Sequence, residues 1–171
     1  MESAIQTTNN YQPKTINYIM AFLQVGDKVP DLSGMNENGE TISLKQFEGK
    51  KLALFFYPKS GTPGCTAEAC SLRDYYAEIK AKGVEVLGVS PDSFRKQKNF
   101  IKKFNFPYSL IADTDKTITQ AFGAWGPKIF WGRHYEGTLR STFLIDEHGV
   151  IEKVFDKVDT DEHAKQILEA L

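Results

Sequence analysis

The sequence predicts an α/β domain of three layers, with a mixed central sheet and an N-terminal β-hairpin. Three observations predict it. Short apolar runs, Leu52-Ala53-Leu54-Phe55-Phe56-Tyr57 and Val84-Glu85-Val86-Leu87-Gly88-Val89, alternate with stretches of helical period, the pattern of βαβ units. The first run is apolar throughout, as a strand covered on both faces must be. Two turn signals, Asn36-Glu37-Asn38-Gly39-Glu40 and Asp146-Glu147-His148-Gly149, sit between short extended pieces and read as hairpins, which adds antiparallel strands.

Residues 1–24 read as a polar N-terminal extension, with Met20 an alternative natural start, and the compact pattern begins near Val25. Residues 25–171 form one expected domain. Ser43-Leu44-Lys45-Gln46-Phe47 reads as a single helical turn closed at Gly49. Pro63-Gly64 opens a helix, because proline lacks the N–H that has no partner there. That helix is expected to run through Leu72, Tyr75, Tyr76 and Ile79 to a stop at Gly83. Ser93 caps a helix through Phe100 and Phe104, and a strand follows over 108–112. Asp115 starts a short helix ending near Phe122-Gly123. Residues 124–137, rich in glycine and aromatics, read as a long loop. Strands over 141–145 and 150–155 form the last hairpin, and residues 161–171 close the chain as a helix.

The chain has 171 residues, 41% of them hydrophobic and 25% charged, with a formal net charge of -1. This size buries a sufficient core without covalent staples. The balanced charge argues against a nucleic-acid or anionic-membrane partner, since no net basic field drives either. The basic stretch from Arg95-Lys96-Gln97-Lys98 to Lys102-Lys103 reads as a solvated helix face. No segment has the ~20 apolar residues of a membrane span. Residues 16–23 lack the basic start and the cleavage site of a secretory leader, so a reducing, cytoplasmic setting is expected.

Cys65 and Cys70 are the only cysteines. In a reducing compartment such a pair points to catalysis or redox work. The thiolate is the nucleophile, and a helix N-terminus favours it because backbone N–H groups and the helix dipole attract negative charge. Cys65 lies two residues after Pro63, in the first turn. Thr62 is placed to cap that turn or to donate to an incoming oxygen, and Pro58 and Pro63 shape the loop and shield one side of the thiol. On an α-helix five residues rise about 7.5 Å, which sets the two Cα atoms roughly 8–9 Å apart on different faces. A disulfide needs less than about 7 Å. If a bridge forms, the first turn and a half must unwind. Arg140, at the start of a strand, is placed to stabilise a thiolate and orient an oxygen substrate, or else is a surface charge. Glu68 orients groups at the site or supports the first helical turn, with support favoured from spacing. Trp125, Phe130 and Trp131 are expected at the site edge, at least one of them in the core. The alternative reading of both cysteines is as buried core residues. A zinc site is not expected, because His134, His148 and His163 have no paired spacing with the cysteines.

Phe55-Phe56-Tyr57-Pro58-Lys59, Thr62-Pro63-Gly64-Cys65-Thr66-x-Glu68-Ala69-Cys70 and Arg140-Ser141-Thr142-Phe143-Leu144-Ile145-Asp146 closely resemble the peroxiredoxins, in the bacterioferritin-comigratory-protein or peroxiredoxin Q subgroup. The resemblance spans residues 25–171. It implies a thioredoxin-like fold and a thiol peroxidase without metal or other cofactor. It implies that Cys65 attacks the peroxide and becomes a sulfenic acid. Cys70 then resolves it as a disulfide, and thioredoxin or a similar dithiol reduces the pair. Pro58, Thr62 and Arg140 match the remaining active-site positions, and relatives of this subgroup are often monomers. Two rival readings remain: a thiol-disulfide oxidoreductase or redox sensor using the same pair, and a non-catalytic thioredoxin-like binding domain.

Overall fold

A computed structural model describes residues 22–171. The chain opens with the hairpin β1 (Ser33–Asn36) and β2 (Thr41–Ser43), then a 3-10 turn, Leu44–Phe47, capped by Ser43. The βαβ region follows: β3 (Lys51–Phe56), α1 (Pro63–Asp74), α2 (Tyr76–Ala81), β4 (Val84–Ser90), α3 (Phe94–Phe104) and β5 (Ser109–Ala112). The last part comprises α4 (Thr117–Ala121), β6 (Trp125–Phe130), β7 (Arg133–Thr138), β8 (Ser141–Ile145), β9 (Ile151–Phe155) and α5 (His163–Glu169).

One sheet of seven strands runs β2-β1-β5-β4-β3-β8-β9. The pairs β3–β4 and β4–β5 are parallel, and the others are antiparallel. The alternation of β3 divides the core. Leu52, Leu54 and Phe56 pack with Ile118, Phe122 and Phe143 on one face, while Ala53, Phe55 and Tyr57 pack with Leu72, Ile79, Phe100 and Ile167 on the other. Helices α1, α2, α3 and α5 thus cover one face of the sheet, and α4 with the 3-10 turn covers the opposite one. This is the three-layer, mixed-sheet, thioredoxin-like architecture that the sequence predicts.

Three local expectations change. The helix expected from Pro63 to Gly83 breaks at Tyr75, whose φ of -105° and ψ of 12° interrupt it between α1 and α2. The loop expected over 124–137 is instead a two-stranded ladder, β6–β7, turned at Trp131 and Gly132, both of which have positive φ (52° and 73°). Scattered glycines and Pro127 hid it, since neither apolar alternation nor an Asn-Gly turn marks the sequence there. The extension expected over 1–24 lies outside the described residues up to residue 21. Phe22 and Leu23 pack onto the sheet: the Phe22 ring meets Phe143 edge-on at 6.1 Å, and Leu23 N–H donates to Phe122 O at 3.1 Å.

Candidate active site

The site forms where β3 ends and α1 begins. Thr62 is the N-cap of α1, with extended backbone, and Pro63, Gly64 and Cys65 form its first turn. Gly61 adopts a φ of +81°, which a side chain would strain, and so lets the chain turn sharply into the helix. The Thr62 hydroxyl does not cap the helix. It donates to Lys59 O at 2.8 Å, so its oxygen keeps free acceptor capacity. Pro58 is half-buried at the start of this loop.

Arg140 arrives from far along the chain. In the antiparallel β3–β8 pair Phe56 sits opposite Ser141, so the residue before β8 falls beside the end of β3 and therefore beside α1. Its Nη2 donates to Cys65 Sγ at 3.3 Å, and its Nη1 donates to Glu68 Oε2. The guanidinium lies against Gly64: a Cβ there would sit 3.4 Å from Nη2, in ordinary contact. Burial opposes the Arg140 charge, but Glu68 and Cys65 outweigh it and hold the guanidinium protonated. The fold thus places a guanidinium within hydrogen-bond reach of the sulfur. The surface-charge alternative for Arg140 falls with this geometry.

Glu68 differs from the supporting role favoured from spacing. It is fully buried. Burial pushes its carboxyl up to about 7, against the pull of Arg140. Its Oε2 fixes the guanidinium, while its Oε1 has no hydrogen-bond partner and lies 3.9 Å from His163 Nε2. His163, on α5, is held neutral by burial. Its neighbour Gln166 accepts from Asp159 N–H through Oε1 and donates through Nε2 to Lys157 O. His163 Nδ1, 2.8 Å from that same Oε1, must then carry the ring proton, and Nε2 accepts from the Thr142 hydroxyl at 2.7 Å. His163 and Thr142 carry no local motif that reveals this pairing in the sequence. Lys128 is a further residue missed. Its Nζ donates to Thr138 O at 2.9 Å, and burial followed by repulsion from Arg140 pushes its ammonium down.

Both cysteines are free thiols on the unbroken helix α1. Cys65 is only 1% exposed and packs within the core as well as against Arg140. Cys70 is half-buried. Burial pushes its thiol up, partly offset by Arg73, so it waits protonated. Of the aromatics expected at the rim, Phe130 and Trp131 are 64% and 91% exposed at the hairpin tip, and Trp125 is half-buried under the Lys116 ammonium. None is a core residue. Among the described residues no group of three metal-ligating side chains forms. A cavity of about 330 Å³ lies at the other end of β3, against Leu52 and Lys45, away from the cysteines.

The model of the AhpC/TSA family matches residues 25–154, and the chain belongs to that family. Peroxiredoxin Bcp of Escherichia coli K12 is 42% identical, over 85% of this chain and 94% of its own length. Peroxiredoxin Bcp of Bacillus subtilis is 40% identical, over 87% and 95%. Among solved structures, Xanthomonas campestris peroxiredoxin Q superposes with a TM-score of 0.79 at 33% identity, covering 88% of this chain and 96% of that one. Within the family the chain is a peroxiredoxin, a peroxidase of the Bcp or peroxiredoxin Q subgroup.

Proposed function

We propose that Cys65 is the peroxidatic residue and Cys70 its resolving partner, acting on hydrogen peroxide and organic hydroperoxides. The Cys65 thiolate attacks the terminal peroxide oxygen. The S–O bond forms as O–O breaks, leaving a sulfenic acid and an alkoxide or hydroxide that takes a proton to become alcohol or water. Cys70 then attacks the sulfenic sulfur, and water leaves as the disulfide forms. A dithiol such as thioredoxin reduces the disulfide to two thiols and is itself oxidised.

One observation carries this reading most: a cation donates to the sulfur of a cysteine in the first turn of a helix that also holds the second thiol. Exposure bears on the oxidant: with Cys65 only 1% exposed, the disulfide of a folded protein does not reach the sulfur while α1 is intact. This disfavours the thiol-disulfide oxidoreductase reading. Arg140 orients the peroxide and steadies charge on its oxygens. The Thr62 oxygen, with its own hydrogen held by Lys59, accepts from the peroxide O–H. The Pro58 ring, which offers no N–H, shields the thiol from water.

Resolution requires α1 to open, because the helix keeps the two Cα atoms beyond disulfide reach by about 1–2 Å. We assign the working protein to a reducing setting such as the cytoplasm, as a monomer. Mass spectrometry after one equivalent of peroxide tests the cycle. Loss of two hydrogens, mapped to a peptide joining Cys65 and Cys70, is expected, and Cys65→Ser should abolish peroxide consumption. Turnover that survives this substitution would refute the assignment.

A further inference from the structure

Helix α3 carries Arg95, Lys96, Lys98, Lys102 and Lys103, all exposed, and no acidic residue occurs between Ser93 and Tyr108. In a chain of net charge -1 this concentration of cations needs a reason beyond solubility. The structure adds a groove of about 300 Å³ between α3 and the loop of residues 59–61. Phe100 and Phe104 give it an apolar wall, and Lys59, Lys96 and Lys103 line it with positive charge. Lys103 Nζ stands 5.4 Å over the Phe104 ring. The walls are fixed to each other. Ser60 Oγ donates to Gln97 Oε1 at 3.1 Å, Ser60 N–H donates to Asp92 Oδ2 at 2.7 Å, and Tyr57 OH also donates to Gln97. Asp92, beneath this floor, is buried and also accepts from Ser90, and among the described residues no acidic one lines the groove itself.

The groove also borders the reacting segment. One wall is the loop that leads into Cys65. At the other end Arg73, three residues after Cys70, donates from Nη1 to Phe104 O at 2.9 Å. A partner seated there therefore meets the segment that must unwind to form the disulfide. We propose that this groove docks a folded protein with an acidic surface and a reactive dithiol, which reduces the Cys65–Cys70 disulfide. The proposal rests on the peroxide cycle given above. It revises the reading of the basic stretch as a merely solvated face: whole-chain charge averages over the surface, whereas association responds to the local field. The reduction balances. One partner thiolate attacks a sulfur of the disulfide to form a mixed disulfide and free one thiolate. The partner's second thiolate then attacks the partner sulfur of that bond, closing the partner's own disulfide and freeing the other thiolate, and two protons complete the thiols of Cys65 and Cys70.

The test uses thioredoxin as the protein reductant and dithiothreitol as a reductant without a surface to dock. Lys96→Glu combined with Lys103→Glu should raise the KM for thioredoxin about tenfold, leaving dithiothreitol-driven turnover within about twofold. Raising NaCl from about 50 to 500 mM should weaken thioredoxin in the native protein and hardly in the variant. An unchanged KM, or equal losses with both reductants, overturns the docking site. So does retention on anionic vesicles or DNA that the same variant abolishes. Stoichiometric oxidation without any reductant is scored separately: if no Cys65–Cys70 disulfide forms, the peroxide cycle itself fails.

Discussion

Replacing Glu68 with Gln should remove a pH-dependent weakness built into α1. The carboxyl is fully buried, and burial raises its pKa from an ordinary 4.5 to about 7. Its folded pKa is thus above its unfolded one, so the folded state binds the extra proton. As pH rises from 4.5 towards 7, the unfolded chain ionises at no cost while the folded chain must ionise in the core. Stability therefore falls across this window. The shift of about 2.5 units corresponds to at most about 3 kcal/mol, at 1.36 kcal/mol per unit. Gln keeps the shape and a carbonyl oxygen for Arg140 Nη1 but cannot ionise. The assay is urea unfolding of the reduced protein at intervals from pH 4.5 to 8. The stability difference, Gln variant minus native, should rise with pH by up to about 3 kcal/mol and level off above 7. The sign matters for function, since rising pH also favours the opening of α1 that resolution requires. A difference that is flat with pH would show that Glu68 does not sit in the folded protein as a strained carboxyl, and the reasoning would fail.

Arg140→Lys should slow alkylation of Cys65 at neutral pH by about 10²-fold, because the ammonium lacks the planar fork whose two separate nitrogens reach Glu68 and Cys65; iodoacetamide kinetics would check it. Gly88→Ala should cost about 1–3 kcal/mol in chemical denaturation, since its methyl would lie 2.5 Å from Leu110 Cδ2 and 2.7 Å from Phe55 Cζ in the centre of the sheet.

Much of the fold was legible in the sequence. The run Leu52-Ala53-Leu54-Phe55-Phe56-Tyr57, short and bounded by turn residues, suited a strand covered on both faces, and its two alternating sets became the two halves of the core. Asn36 to Glu40 and Asp146 to Gly149 marked their hairpins through turn chemistry, which is local. Where tertiary context outweighed local signals, the reading missed. Tyr75 carries no breaker, yet the helix stops there. The β6–β7 ladder lacks alternation because most of it faces water, with Ile129, Phe130 and Trp131 exposed at its tip.

The site divides in the same way. Cys65, Cys70, Thr62 and Pro58 are near in sequence, so spacing and the position of Pro63 were enough to set a thiol on the first turn of a helix. That much the sequence determined alone, since helix geometry is fixed by a few neighbouring dihedral angles. Only the tertiary structure decided what surrounds the sulfur. Arg140 lies 75 residues from Cys65 and reaches it through the β3–β8 register. Glu68 is buried because Arg140 and α5 close over it, and His163 is neutral because burial disfavours its charge, with Gln166 and Thr142 fixing which ring nitrogen carries the proton. Burial and charge are sums over neighbours brought together by folding, and no short window of sequence contains those neighbours.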